Sequence, residues 1–138
     1  MKPRIILDTN IFISGILFGG IPRKIIESVL QGQFTLCLSE PLWEELEGVL
    51  LRPKFHFSGE VVHTILNELK TMAFLVDPER KLSIIKEDPS DNRLLEAAVT
   101  ARTDIIVSGD KHLLQLRKFR DTSILSPREF LDAYLKKE

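Results

Sequence analysis

Five short apolar runs punctuate this chain, at residues 5–7, 34–38, 74–76, 104–107 and 123–125. Each is too brief for a helix, and several place branched residues side by side rather than alternating them with polar ones. Unbroken apolar runs suit strands buried on both faces, as in parallel sheets. The longer segments between them carry helical periodicity. Strands alternating with helices imply a parallel sheet covered on both sides. The expected fold is α/β, a three-layer α/β/α sandwich around a parallel sheet of about five strands. No repeat, low-complexity stretch or linker interrupts it, so residues 1–138 read as one domain.

The helices have legible boundaries. Residues 11–17 suit a short helix running into Gly19-Gly20. Pro22 fits the first turn of a second, with Ile25, Ile26, Val29 and Leu30 as its core stripe and Gly32 as its stop. Ser39 is a candidate N-cap for a helix over 40–51. Ser58 opens another, carrying Val61, Val62, Ile65, Leu66 and Leu69. A helix over 90–102 turns Leu94, Ala97, Ala98 and Ala101 inward. Residues 111–116 form a short helix, and Ser126-Pro127-Arg128-Glu129 is a capping-box start for the last one. Residues 82–85 read as a brief extended segment.

Composition narrows the function. With 43% hydrophobic and 28% charged residues, the chain is typical of globular proteins. A net charge of −1 gives no overall basicity that would announce nucleic acid, although local patches matter more than the total. The single Cys37 forms no internal disulfide and fits a small core residue in a reducing cytosol. No run approaches the roughly 20 apolar residues that cross a bilayer, and a signal-peptide pattern is lacking. A cytoplasmic protein without membrane association is expected.

The chemistry lies in four acids. The first strand stops at Asp8, and the fourth runs through Ser108-Gly109 to Asp110. Both acids therefore project from carboxyl ends of strands, where α/β folds bind ligands. If those strands are neighbours, about 4.8 Å apart, the two carboxylates are close. On the 40–51 helix, Glu40, Glu44 and Glu47 face away from Leu42, Leu46, Val49 and Leu50. Glu45 falls instead on the edge of the buried face, where an unpartnered carboxylate is costly. Asp91 shares the inward side of its helix with the alanines. Gathered carboxylates repel one another and raise their pKa values. Divalent cations relieve that repulsion, and hard oxygen donors suit Mg²⁺ or Mn²⁺. Such a site suits phosphodiester hydrolysis by a metal-activated water.

Other chemistries find no footing. There is no Gly-x-Ser-x-Gly elbow or Ser-His-Asp order, no phosphate-binding glycine loop and no Cys/His cluster for zinc. His56, His63 and His112 are scattered and read as packing or surface residues.

At this point the chain resembles the PIN-domain nucleases. The resemblance runs from Asp8-Thr9-Asn10 through Ser39 and Glu45-Leu46 to Asp88-Pro89-Ser90-Asp91-Asn92, Ser108-Gly109-Asp110 and Ser126-Pro127. It is most similar to the VapC-like branch, the toxins of toxin–antitoxin pairs. The resemblance implies Mg²⁺- or Mn²⁺-dependent cleavage of RNA, with metal binding by Asp8, Glu45, Asp91 and Asp110. It gives Asn10, Ser39 and Ser108 supporting roles, and Ser108 stands where threonine is common. It also implies a protein antitoxin and a homodimer, for which the 11–18 helix face could serve. Asp88 is a fifth acid near the site or a helix cap.

Three rival readings bear on these residues. Each acid taken singly can be a helix cap or a solvated surface group, Asp8, Asp91 and Asp110 especially. An aspartyl-phosphate enzyme of the haloacid-dehalogenase type needs a second acid two residues after Asp8, where this chain has Asn10. A catalytically silent nucleic-acid- or partner-binding domain would use basic residues such as Arg4, Arg23, Lys24, Arg52, Lys54, Arg93, Lys111, Arg117, Lys118 and Arg120. It would have no use for repelling acids.

Overall fold

The computed structural model describes residues 2–78 and 89–135, with the backbone alone at 89 and 90. Six strands form one sheet: β1 (Arg4–Leu7), β2 (Thr35–Ser39), β3 (Phe74–Val76), β4 (Ile105–Val107), β5 (Lys118–Phe119) and β6 (Thr122–Leu125). Their order is β3-β2-β1-β4-β6-β5. The first five in that order are parallel, while β5 runs antiparallel to β6 at the edge. The parallel part is the expected one. β5 was not anticipated, because a two-residue strand of Lys118 and Phe119 has no apolar pattern to betray it.

Burial explains why the strands read as they do. Ile5, Ile6 and Leu7, then Leu36, Cys37 and Leu38, then Ile105, Ile106 and Val107 are all no more than 2% exposed. Consecutive side chains point to opposite faces, so both faces of the sheet are covered. β3 is the exception: at the opposite edge from β5, it leaves Phe74 and Leu75 partly exposed.

The connecting helices are α1 (Thr9–Leu17), α2 (Gly20–Leu30), α3 (Glu40–Leu50), α4 (Gly59–Met72), α5 (Pro89–Ala101), α6 (Lys111–Leu116) and α7 (Pro127–Phe130). α5 packs across β1, β2 and β3, and its Ala97, Ala98 and Ala101 are buried, as their small size permits. Leu95 beside them is also fully buried. Ser39 and Ser58 cap α3 and α4 by accepting from the Leu42 and Val61 amides. Ser126 and Glu129 complete the capping box of α7.

Three helix faces differ from expectation. Leu30 is exposed, because it lies about 140° round α2 from Ile25, while Ser28 shares the buried face with Ile25 and Val29. Val61 is exposed because it sits about 100° from Val62, and the inward stripe of α4 is Val62, Leu66 and Leu69. The 11–18 segment is not an outward apolar face either. Ile11, Phe12 and Ile13 are core, and only Phe18, at 83%, is largely exposed.

α1 and α2 approach closely at Gly15. A methyl group there would meet Ile26 Cδ1 at 2.5 Å and the Pro22 and Arg23 backbone at 3.1 Å. Arg23 fastens the same junction, donating to the Gly15 carbonyl (2.9 Å) and the Ile16 carbonyl (3.1 Å). The extended segment expected at 82–85 and the Asp88 assignment lie outside the described residues.

Candidate active site

The strand order contains a switch point. From β1 the chain builds outward through β2 to β3, then returns to place β4 on the other side of β1. Such reversals open a crevice beyond the carboxyl ends of the strands. Here the crevice lies between Asp8, after β1, and Ser108, after β4. The two strands are direct neighbours with Leu7 opposite Val107, and the Asp8 amide continues the ladder by donating to the Val107 carbonyl (3.0 Å).

One hydroxyl ties the two strand ends together. Ser108 Oγ donates to Asp8 Oδ2 (2.7 Å) and accepts from the Asp110 amide (3.0 Å). Ser108 itself is fully buried, while the two bonds it makes are part-buried. Asp110 Oδ1 accepts from the His112 amide (2.8 Å) and, more weakly, from that of Leu113 (3.4 Å). Capping α6 and standing in the crevice are thus compatible roles for one side chain. Asp8, at the N-cap of α1, forms no side-chain capping hydrogen bond of full geometry, although the Asn10 amide lies close enough to favour its charged form.

Glu45 enters from α3. Its side chain is 24% exposed, whereas Glu44 beside it is exposed. Thr9 Oγ1 donates to Glu45 Oε2 (3.0 Å), and Arg93 Nη1 lies 4.0 Å from Glu45 Oε1. Each of Asp8, Glu45 and Asp110 is therefore oriented through one of its oxygens by a hydroxyl or an amide. Burial pushes the Asp8 carboxyl above its ordinary pKa. The hydrogen bond from Ser108 opposes the shift, the charge of Glu45 adds to it, the Asn10 amide opposes it, and Asp110 adds to it. The charges of Glu45 and Asp110, from separate elements, thus both bear on Asp8.

Asp91 is only 4% exposed, in the first turn of α5 and two residues before Arg93. Its helix contacts α3, the helix that carries Glu45. Ser39 is buried at the end of β2 with its hydroxyl committed to capping α3. Asn10 has an exposed side chain and acts on Asp8 through its backbone amide. Thr9 was missed as a site residue. Its only sequence signal is a hydroxyl directly after the strand-end acid, and the Glu45 contact exists only in three dimensions. Arg93 appeared only as one of many cations.

The donor chemistry fits a hard divalent cation: carboxylate oxygens, oriented by neighbouring hydroxyls in the way metal-ligating groups are usually held. As they stand, no three His, Cys, Asp or Glu side chains among the described residues are grouped to hold one ion. The acids converge without closing into a cage.

Cys37 is fully buried, and burial raises its thiol pKa. It is a core residue, as expected, and a poor nucleophile.

These features define a parallel α/β domain with a carboxylate crevice at its switch point. Residues 4–112 match the PIN domain family, and the chain belongs to that family. It is 26% identical to the uncharacterized protein MJ1680 of Methanocaldococcus jannaschii, across 99% of this chain and 94% of that protein. Its fold is similar to that of VapBC2 from Rickettsia felis, solved bound to a DNA fragment from their promoter. That match has a TM-score of 0.60 at 14% identity and covers 89% of this chain and 98% of the other. No helix among the described residues is long and apolar enough to cross a membrane.

Proposed function

We propose that this chain is a Mg²⁺- or Mn²⁺-dependent endoribonuclease of the cytoplasm, and the toxin of a toxin–antitoxin pair. The observation that carries the reading is the Ser108 bridge, which joins Asp8 to Asp110 while the charges of Glu45 and Asp110 bear on Asp8. A structural cap or a solvated surface acid has no need of such crowding. Membership of the PIN domain family supports nuclease chemistry, and fold likeness to VapBC2 supports the toxin assignment.

In this reading Asp8, Glu45, Asp91 and Asp110 hold the cation. A divalent cation held by these carboxylates would supply Lewis-acid polarisation of a phosphodiester and a bound water of lowered pKa. Ser108 fixes the spacing of Asp8 and Asp110, and Thr9 sets the rotamer of Glu45. Asn10 and Ser39 act indirectly, Asn10 through its amide on Asp8 and Ser39 by starting α3 so that Glu45 reaches the crevice. An RNA strand is the substrate, and a small antitoxin covers the crevice. A homodimer is the proposed assembly, for which the exposed Phe18 is a candidate contact.

Calorimetric titration with Mn²⁺, comparing wild type with Asp110→Asn, tests the site. Cleavage of single-stranded and structured RNA, and of DNA, with and without excess EDTA then tests the activity. Mn²⁺ binding that the variant loses, with RNA cleavage that EDTA stops, is the expected result. Activity that survives EDTA would overturn the mechanism. A silent binding domain is the second reading, favoured by the open arrangement of the acids. It predicts RNA binding without cleavage at any Mn²⁺ concentration.

A further inference from the structure

Glu45 is held from two sides by groups of different kind. Thr9, itself 8% exposed, donates to Oε2 at 3.0 Å. Arg93 faces Oε1 at 4.0 Å, with half of its own side chain in solvent. The first contact is a hydroxyl-to-carboxylate hydrogen bond from a buried donor, and so suits a permanent support. The second is long and charged, on a flexible arm two residues from Asp91. An exposed ion pair of this length adds little stability, and its interest lies in where it stands.

Resting on the nuclease reading above, we propose that Arg93 is a substrate-phosphate contact that shares Glu45 Oε1 with the cation. With Oε2 committed to Thr9, Oε1 is the oxygen over which the guanidinium and a divalent cation compete. A divalent cation held by Glu45 would repel Arg93, whose half-exposed side chain is free to turn toward solvent. A phosphodiester arriving there offers two non-bridging oxygens, the pair that a planar guanidinium grips with parallel hydrogen bonds. Arg93 thereby hands Glu45 to the cation and takes up the substrate. Lysine would keep the charge and lose the two-pronged grip.

Two measurements test this without relying on turnover. In the first, Mn²⁺ is titrated into wild type and Arg93→Gln. Removing the competitor is expected to tighten binding roughly two- to fivefold, the scale of an exposed ion pair. In the second, a short fluorescein-labelled single-stranded RNA of mixed sequence is bound to wild type and to Arg93→Gln at saturating Mn²⁺ across a salt series, with anisotropy read by stopped flow before cleavage. Loss of one phosphate contact should lower the slope of log affinity against log salt by about 0.7. Arg93→Lys should restore the slope while leaving the affinity weaker. Circular dichroism melts confirm that the variants fold.

Mn²⁺ affinity that is unchanged or weaker in Arg93→Gln overturns the sharing of Glu45. An unchanged salt slope overturns the phosphate contact. Failure of the underlying reading looks different: wild type itself would bind no Mn²⁺.

Discussion

The two ends of the central sheet treat charge in opposite ways. At the amino end, Arg4 donates its backbone amide to Asp104 Oδ2 (2.8 Å) and its guanidinium to the Ala101 carbonyl (2.7 Å), and lies 5.0 Å from the centre of the Phe74 ring. Lys2 and Arg102 join it around a cavity of about 660 Å³ that Asp104 and Tyr134 also line. The charged groups there are tied to the backbone, Asp104 to the Arg4 amide and the Arg4 guanidinium to the Ala101 carbonyl. At the carboxyl end, the charges of Glu45 and Asp110 bear on Asp8, and burial raises its pKa. Charged side chains tied to backbone groups at one end serve the fold, whereas at the other the charges of Glu45 and Asp110 raise the cost of ionising Asp8. Arrangements that work against stability mark functional sites.

The sharpest way to break this contrast is to neutralise one acid at each end. Asp8→Asn is expected to lower RNA cleavage by at least about 10²-fold, the scale of losing one fixed electrostatic group at a reacting centre. Its melting temperature should hold or rise. A variant that unfolds would show that Asp8 serves the fold after all.

The next largest effect tests the support rather than the ligand. Thr9→Val keeps the shape and removes the donor to Glu45. Mn²⁺ affinity is expected to fall about tenfold, as when other groups that orient ligands are removed. Calorimetry with unchanged affinity would reduce Thr9 to packing.

At the amino end the signs reverse. Asp104→Ala removes the acceptor of the Arg4 amide and should destabilise the fold by about 1 kcal/mol, read by urea denaturation, with cleavage unaffected. Lost cleavage in a folded Asp104→Ala protein would mean that the two ends are coupled.

The smallest effect is one of pH. Asp8 in the folded state keeps its proton above the ordinary 3.8. The folded chain therefore binds more protons across that interval. Its stability should fall as pH rises from below 3.8 through the raised value, then level off. Asp8→Asn should lack this component when melts of the two proteins are compared point by point. Glu129 contributes with the opposite sign: the Ser126 contacts hold its pKa below the ordinary 4.5. Its stabilisation is present at neutral pH and fades as acid protonates it.

The sequence made the parallel core legible because burial on both faces leaves an unbroken apolar run, as in Ile5-Ile6-Leu7 and Ile105-Ile106-Val107. Helix starts were equally readable where a serine caps them, at Ser39, Ser58 and Ser126. Outer faces were harder. Leu30 and Val61 are apolar yet exposed, and residue type alone cannot say which apolar side chains a helix turns inward. Trp43 is buried on α3 beyond the expected stripe, at 8% exposure. In the candidate site, strand-end position pointed to Asp8 and Asp110, and helical phase separated Glu45 from Glu44. Thr9 and Arg93 escaped because their relation to Glu45 joins α1, α3 and α5, which no local pattern records.

Gly15 has a consequence for how variants of this chain would be interpreted. The helix that begins at Thr9 is packed so closely against α2 at Gly15 that a side chain there would force the neighbouring atoms to shift. A substitution there strains the packing by about 1–3 kcal/mol, and it can relax by shifting the helix whose first residue holds Glu45. A screen that scores only lost toxicity or lost cleavage would record Gly15 beside the acids, although it touches none of them. Scoring soluble yield alongside activity would separate residues that perform the reaction from the one that keeps two helices close enough for it to occur.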